Sequence, residues 1–318
     1  MEQGVSILAI TGPIYVIIAL GYLCARSRLF SAADMRVLGR YVINISVPAL
    51  LFRAFSQHRV TGLGNGLYLV GYATASLVLL LGVTWLVRSV LRKPMPRAAL
   101  QGLGVSNANS AFIGYPIALH VAGPAAGLAL ALCMIVENLV IMPLALAMAE
   151  RGGERSGGAS AMLQWMRAFA RNPMLMAIVA GFAFALTGIA MPDVAAHTLE
   201  IVATAASPVA LFVIGGSLIG LRLEGQHVEV AFVAFGKLVL HPLAVLAAFA
   251  LLPPIDPALR AAAVVIACSP MLSIYPVLAQ KHHLEGFCAA ALLVTTLASF
   301  VTISALLWAM RHYPGWLL

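Results

Sequence analysis

The sequence predicts an all-α polytopic membrane protein of ten transmembrane helices, arranged as two inverted five-helix repeats with crossed, broken helices 4 and 9. Three observations predict it. The 318 residues are 62% hydrophobic and 9% charged, where a soluble domain carries about 25% charged residues. Helix-breaking and other residues recur at an offset of 160: Pro13 and Pro173, Gly21 and Gly181, Pro48 and Pro208, Phe52 and Phe212, Tyr115-Pro116 and Tyr275-Pro276. Lysine and arginine alternate between loops instead of spreading evenly.

Apolar runs of the roughly 20 residues that a bilayer requires fall near 4–25, 34–56, 64–92, 97–121, 124–149, 161–189, 194–221, 228–252, 257–281 and 285–310. The start, Met1 to Gly4, lacks the basic region of a signal peptide, so the first run reads as a retained helix. Loops after odd-numbered spans hold Arg26, Arg28, Arg36 and Arg40, then Arg88, Arg92, Lys93 and Arg97, then Arg151, Arg155, Arg167 and Arg171, then Arg222 and Lys281. The other side holds Arg53, Arg59, Arg260 and Arg311. By the positive-inside rule both termini lie outside the cytoplasm. Five spans per copy is an odd number, so the second copy enters from the opposite side and the repeats are inverted. The boundaries read as 1–150 for the first repeat, 151–160 for a short cytoplasmic linker and 161–318 for the second.

The net charge of +8 follows membrane orientation and forms no stripe, so nucleic acid is not expected as a partner. Cys24, Cys133, Cys268 and Cys288 lie within or at the ends of apolar stretches and form no CxxC pair, which reads as packing. No GxxxxGK[ST] and no GxSxG occurs, and no histidine spacing suits a metal. No cofactor is expected. His58, His120 and His197 lie near loop ends and read as surface groups.

Span 4 places Asn107, Asn109 and Ser110 at mid-membrane, followed by Gly114, Tyr115 and Pro116. Span 9 has Ser269, Pro270, Ser273, Tyr275 and Pro276 at the matching depth. Proline inside a helix removes a hydrogen bond and clashes with the preceding turn. The freed groups must face protein or a water-filled cavity. Two inverted broken spans would cross near the midplane and aim half-helix N-termini at one point, which suits a carboxylate. Kinked packing helices with polar glue are the bland alternative.

Glu137, beside Asn138, sits near the centre of span 5, where a charge costs about 2.5–3.5 kcal/mol on insertion scales. That makes it a candidate for handling a coupling ion. Lys237 lies at similar depth in span 8, with His241 one turn on. Lys237 either meets substrate charge or pairs structurally with Glu137. Asn44 and Ser46 precede Pro48 in span 2, and Thr204 and Ser207 precede Pro208 in span 7. They either line the pathway or bond back to their own helices beside a kink.

These residues resemble the auxin efflux carrier family. Val47 to Phe52 is similar to its LPALLF-type segment, and Asn109 to Pro116 to its N-x-x-F-I-G-x-P pattern. Arg171 through Pro173 and Gly181 to Pro192, Ser207 to Gly215, and Lys237 to Pro242 resemble its sixth, seventh and eighth spans. The resemblance implies a scaffold of spans 1, 2, 6 and 7, and a mobile transport unit of spans 3–5 and 8–10. It implies elevator-like movement, a homodimer built through the scaffold and an organic anion as substrate. Asn109 and the backbone near Gly114 and Tyr115 would contact that substrate, and the region of Pro270 would close the crossover. Two departures stand out. Ile274 occupies a place where bacterial relatives carry asparagine, and Glu137 one where plant members carry glutamine.

The expected function is secondary transport of a mono- or dicarboxylate, malonate-like, across the cytoplasmic (inner) membrane, driven by an H+ or Na+ gradient or by the anion's own gradient. A membrane sensor that binds the anion without moving it is the alternative from another class. An intramembrane enzyme would need a nucleophile–base spacing that does not accompany Glu137, Lys237 and His241.

Overall fold

The computed structural model describes residues 7–57, 63–150, 173–219 and 226–313. Met1 to Gly4, His58, Arg59, the linker at 151–160, Arg167, Arg171 and Arg222 lie outside the described residues. Regular structure among the described residues is helical throughout, with no strand. The helices are α1 (Ile7–Arg26), α2 (Ala32–Ser56), α3 (Gly66–Val90), α4 (Met95–Ser106), α5 (Tyr115–Ala122), α6 (Ala125–Glu150), α7 (Pro173–Thr187), α8 (Asp193–Ser217), α9 (His227–Ala250), α10 (Pro257–Ala267), α11 (Tyr275–Ala279) and α12 (Glu285–His312). Six of them, α2, α3, α6, α8, α9 and α12, are long and apolar enough to cross a membrane. The other expected spans correspond to shorter or interrupted helices. Large apolar side chains such as Val78, Trp85 and Leu251 point outward, which suits lipid and not water.

Local sequence explains where helices begin and loosen. Ser31 starts α2 with a capping box: its hydroxyl accepts the Asp34 N–H, while Asp34 accepts the Ser31 N–H at 2.8 Å. Among the described residues helices widen into π turns at five places; one, Leu86–Val90, ends α3, and the other four are Val42–Ser46, Ser110–Gly114, Glu137–Ile141 and Gly236–Leu240. Each of these four ends two residues before a proline: Pro48, Pro116, Pro143 or Pro242. In each, the residue just before the proline donates its N–H to the carbonyl five positions back. Proline cannot donate and crowds the carbonyl four residues behind it. A widened turn absorbs that conflict without breaking the helix. Two of these turns contain the deep charges, Glu137 and Lys237.

The breaks lie before Pro116 and Pro276, and Pro270 lies within the second. The first interrupted span is non-helical at Asn107–Asn109, and the second between Ala267 and Tyr275. Pro116 and Pro276 sit in the first turns of α5 and α11. Pro276 thus starts its half-helix, where a missing N–H has no partner to lose. The half-helix that holds Pro116 already begins at Ser110, and its widened turn accommodates the proline.

Two buried clusters organise the packing. The larger draws on α3–α6 and α9–α12, with edges of α1 and α8. The smaller gathers α2, α7 and α8 against one face of α6 and is rich in alanine: Ala111, Ala131, Ala177, Ala203, Ala206 and Ala210. Each ion pair between described residues stays on one side of this division. Arg53 pairs with Glu200 at 2.9 Å, α2 to α8, and His197 approaches Glu200 within α8. Lys93 and Arg97 converge on Glu229 at 3.0 and 2.8 Å, and Lys281 reaches Glu150 at 2.7 Å.

The offset of 160 has a spatial counterpart. Gly21 of α1 lies against the backbone of Phe212 in α8, and Gly181 of α7 lies against the backbone of Phe52 in α2. These are the same two positions exchanged between the halves. Neither site has room for a Cβ. Gly21→Val and Gly181→Val are each expected to force the helices apart, at about 1–3 kcal/mol or more. Thermal unfolding in detergent checks this. Equal losses from both variants mark equivalent contacts, and an unchanged midpoint in either rejects the close approach.

Candidate functional site

The interrupted helices meet at their breaks. Asn109 donates its backbone N–H to the Pro270 carbonyl at 2.7 Å, and its side-chain amide donates to Ser273 Oγ at 2.8 Å. Gly114 lies beside Ile266 and Ser269, so a Cβ there would meet Ile266 Cα at 3.2 Å. Glycine is what allows the two helices to cross this closely.

A cavity of ≈ 100 Å³ lies at the crossing. Its polar wall is Asn107, Asn109, Ser110, Glu137, Asn138 and Ser273. Phe112, Met134, Met142, Leu272 and Ile274 contribute apolar surface. At about 30 Å³ per water, the space holds a few waters or one small anion. The Asn107 amide nitrogen is buried without a hydrogen-bond partner. A buried donor left unmade costs roughly 1–3 kcal/mol, so a ligand group that accepts from it gains that much.

Glu137 forms the floor. Its Oε1 accepts from the Tyr72 hydroxyl at 2.8 Å and from the Ala108 N–H at 3.4 Å. Ser110 Oγ lies 2.7 and 2.8 Å from its two carboxylate oxygens. Ser110 opens the helical run that continues into α5. The carboxyl of Glu137 therefore occupies the positive end of that half-helix. The anion that the crossing was expected to attract is, in this arrangement, a side chain of the protein.

Glu137 and Lys237 make no direct ion pair. Lys237 is fully buried, with Nζ 2.9 Å from the Ala267 carbonyl and 2.6 Å from His241 Nδ1. It caps the last turn of α10, just before the break. An ammonium only donates, so His241 Nδ1 accepts and Nε2–H faces Ser76 Oγ at 3.0 Å. Tyr72 lies between the two charges, its ring 5.8 Å from that of His241. Complete burial keeps the Lys237 ammonium away from any membrane interface.

Several expected site residues stand apart from this cavity. Asn44 is exposed and donates to the Arg40 carbonyl of its own helix at 2.8 Å. Ser46 is buried with an unpartnered hydroxyl but does not line the cavity. Asn138 lines it while its amide donates to the Met134 carbonyl. The Ser269 hydroxyl donates to the Ile266 carbonyl. Tyr275 is buried and donates to the Leu100 carbonyl at 2.8 Å, and neither it nor Pro276 lines the cavity. Tyr115 and Pro116 face a second cavity of ≈ 510 Å³, with Arg53, His120, Thr204 and Ser207 in its wall.

Tyr68, Tyr72 and Ser76 were missing from the expected site. Their signal is present in the sequence: three hydroxyls at i, i+4, i+8 form one polar line along an otherwise apolar span. Tyr68 meets Cys133 Sγ at 3.1 Å and, with Tyr72, backs the Glu137 pocket.

An all-helical chain with this many apolar helices and two interrupted helices meeting over a polar cavity is a membrane transporter in class. The chain belongs to the family described as Membrane transport protein, whose model matches residues 8–308, the auxin efflux carrier family of the sequence resemblance. It is 29% identical over 304 residues to a Rhizobium meliloti (strain 1021) protein named "Putative malonate transporter", covering 94% of each chain. It is 28% identical over 242 residues to "Uncharacterized transporter YfdV" of Escherichia coli (strain K12), covering 74% of this chain and 75% of that one.

Proposed function

We propose that this chain is a secondary active transporter of a small organic anion, a malonate-like mono- or dicarboxylate, coupled to protons through Glu137. The observation that carries the reading is the shared place of Glu137 and the cavity. Ionised, Glu137 covers the half-helix terminus and repels a second carboxylate. Protonated, it releases that positive end to the substrate, and the buried amide of Asn107 supplies a further donor. Anion and proton then bind together or not at all. Sodium is the alternative coupling ion. The name carried by the Rhizobium relative favours a dicarboxylate.

Ten spans in two inverted repeats, over 1–150 and 161–318, are supported by the reciprocal contacts of Gly21 with Phe212 and Gly181 with Phe52. An elevator-type movement is supported by the alanine-rich cluster between α2, α7, α8 and α6, and by ion pairs that do not cross it. On this reading α1, α2, α7 and α8 are the scaffold, and α3–α6 with α9–α12 move. The distribution of basic residues over the loops supports an orientation with both termini outside the cytoplasm, and an inner-membrane location goes with that reading. A homodimer through the scaffold follows from the family resemblance.

The test is uptake of labelled malonate and related acids into proteoliposomes, with pH and sodium gradients imposed separately. Accumulation driven by the pH gradient is expected; no gradient-sensitive flux of any carboxylate sinks the reading. Asn107→Ala removes a donor with no protein partner. It is expected to raise KM about tenfold and to leave the melting temperature unchanged. An unchanged KM removes Asn107 from the site.

A further inference from the structure

A third cavity, of ≈ 730 Å³, lies away from the crossing, between α1, the end of α8 and α12. Ile18, Leu218, Leu293, Leu297 and Phe300 make its walls apolar. It opens at the protein surface, where Leu297 is 62% and Ile219 41% exposed. One end is polar: the Tyr15 and Ser299 hydroxyls meet at 2.9 Å, and the Phe300 ring stands edge-on to Tyr15. Its other end is Arg26, in the last turn of α1. Arg26 makes no ion pair among the described residues.

The geometry points to a binding site for one anionic phospholipid, its acyl chain in the crevice and its phosphate on Arg26. Dimensions support this occupant. Eleven helical residues separate Tyr15 from Arg26, a rise of about 16 Å. One leaflet of the hydrocarbon core is about 15 Å deep. The crevice thus matches the span from headgroup level to the midplane, with its charge at the outer end. Charge supports it too. Arg26 belongs to the basic loop that holds Arg28, Arg36 and Arg40. Basic groups between helices on the cytoplasmic side attract anionic headgroups. Apart from Tyr15, Tyr22 and Arg26 the lining is apolar, which suits an acyl chain better than a polar solute.

The crevice also has one wall on α1 and α8 and the other on α12. Tyr15 to Ser299 is a hydrogen bond across the boundary on which the transport reading depends. A lipid seated there touches both bodies, so transport rate should respond to lipid charge. That last consequence rests on the proposed function; lipid binding itself does not.

The test is native mass spectrometry of the full chain, released from phosphatidylcholine bilayers with and without phosphatidylglycerol. Wild type is expected to retain one phosphatidylglycerol in preference to phosphatidylcholine. Arg26→Gln, an exposed substitution that leaves the fold intact, should reduce that retention about fivefold. Leu297→Trp, which fills the crevice, should lower retention of both lipids. Equal retention of the two lipids by wild type, or unchanged retention in Arg26→Gln, overturns the site. Efficient disulfide-linked dimers from Leu297→Cys would assign the crevice to a second copy of the chain and overturn it as well. None of these readouts needs transport, so a failure here is distinct from a failure of the carrier reading.

Discussion

Glu137→Gln is expected to abolish accumulation driven by a pH gradient while leaving exchange of labelled for unlabelled substrate in place. On the proposed coupling, one proton bound with each anion would convert a gradient of one pH unit into about a tenfold accumulation. The sign follows from that proposal. Protonation of the carboxyl would free the start of the α5 run for substrate, so substrate would enter together with a proton from the acidic side. Glutamine mimics the protonated acid permanently. It leaves the helix terminus available, and it can still accept from Tyr72 and Ser110. The variant therefore binds the anion without a proton and only equilibrates it. Proteoliposomes with an acidic outside and a neutral inside make the measurement. Tenfold accumulation by the variant would show that Glu137 carries no coupling proton.

Lys237→Ala should be among the most destabilising single changes in the chain. It removes the cap on the Ala267 carbonyl and the partner of His241 Nδ1, and leaves both unsatisfied in a dry interior. At roughly 1–3 kcal/mol for each orphaned group, a loss of about 2–5 kcal/mol is expected. Lys237→Met restores the volume without a buried charge and should recover part of that stability. It should not recover transport, because an ammonium in a low-dielectric interior offsets the charge of an anion held at the crossing. Detergent melting curves, paired with uptake, separate the two effects. A Lys237→Met variant that transports at the wild-type rate would reduce Lys237 to a structural role.

Much of the fold was legible because a bilayer restricts what a chain can do. Long apolar runs with basic residues at alternate ends leave little besides helices. The interrupted helices were legible for a related reason: Asn107, Asn109 and Ser110 are costly at mid-membrane unless they face a cavity. What failed was detail that depends on neighbours. Pro116 and Pro276 signalled breaks, yet both lie after them: Pro276 starts a half-helix, where proline loses no hydrogen bond, and Pro116 follows a widened turn. Asn44 had the residue type of a pathway group, but the nearest acceptor was the Arg40 carbonyl one turn back. Glu137 and Lys237 had opposite charge and similar depth, which invites a pair. Each instead found other partners: Tyr72 and Ser110 on neighbouring elements for one, His241 one turn along its own helix and the end of α10 for the other. Depth can be read from a sequence, whereas the azimuth of a side chain around its helix is set by packing.

The contacts that complete the transport core join residues far apart in the chain. Asn109 to Ser273 spans 164 positions, Ser76 to His241 165, Tyr275 to Leu100 175 and Arg97 to Glu229 132. During synthesis α3–α6 would leave the ribosome with Glu137 already in place but without the half-helices that finish the crossing. Lys237 and His241 follow about a hundred residues later, and Ser273 later still. Until then Asn107 and Asn109 must be sheltered by water, lipid headgroups or the insertion machinery. Assembly is therefore late and concerted: the two halves interlock as they mature, and neither carries a finished binding site of its own.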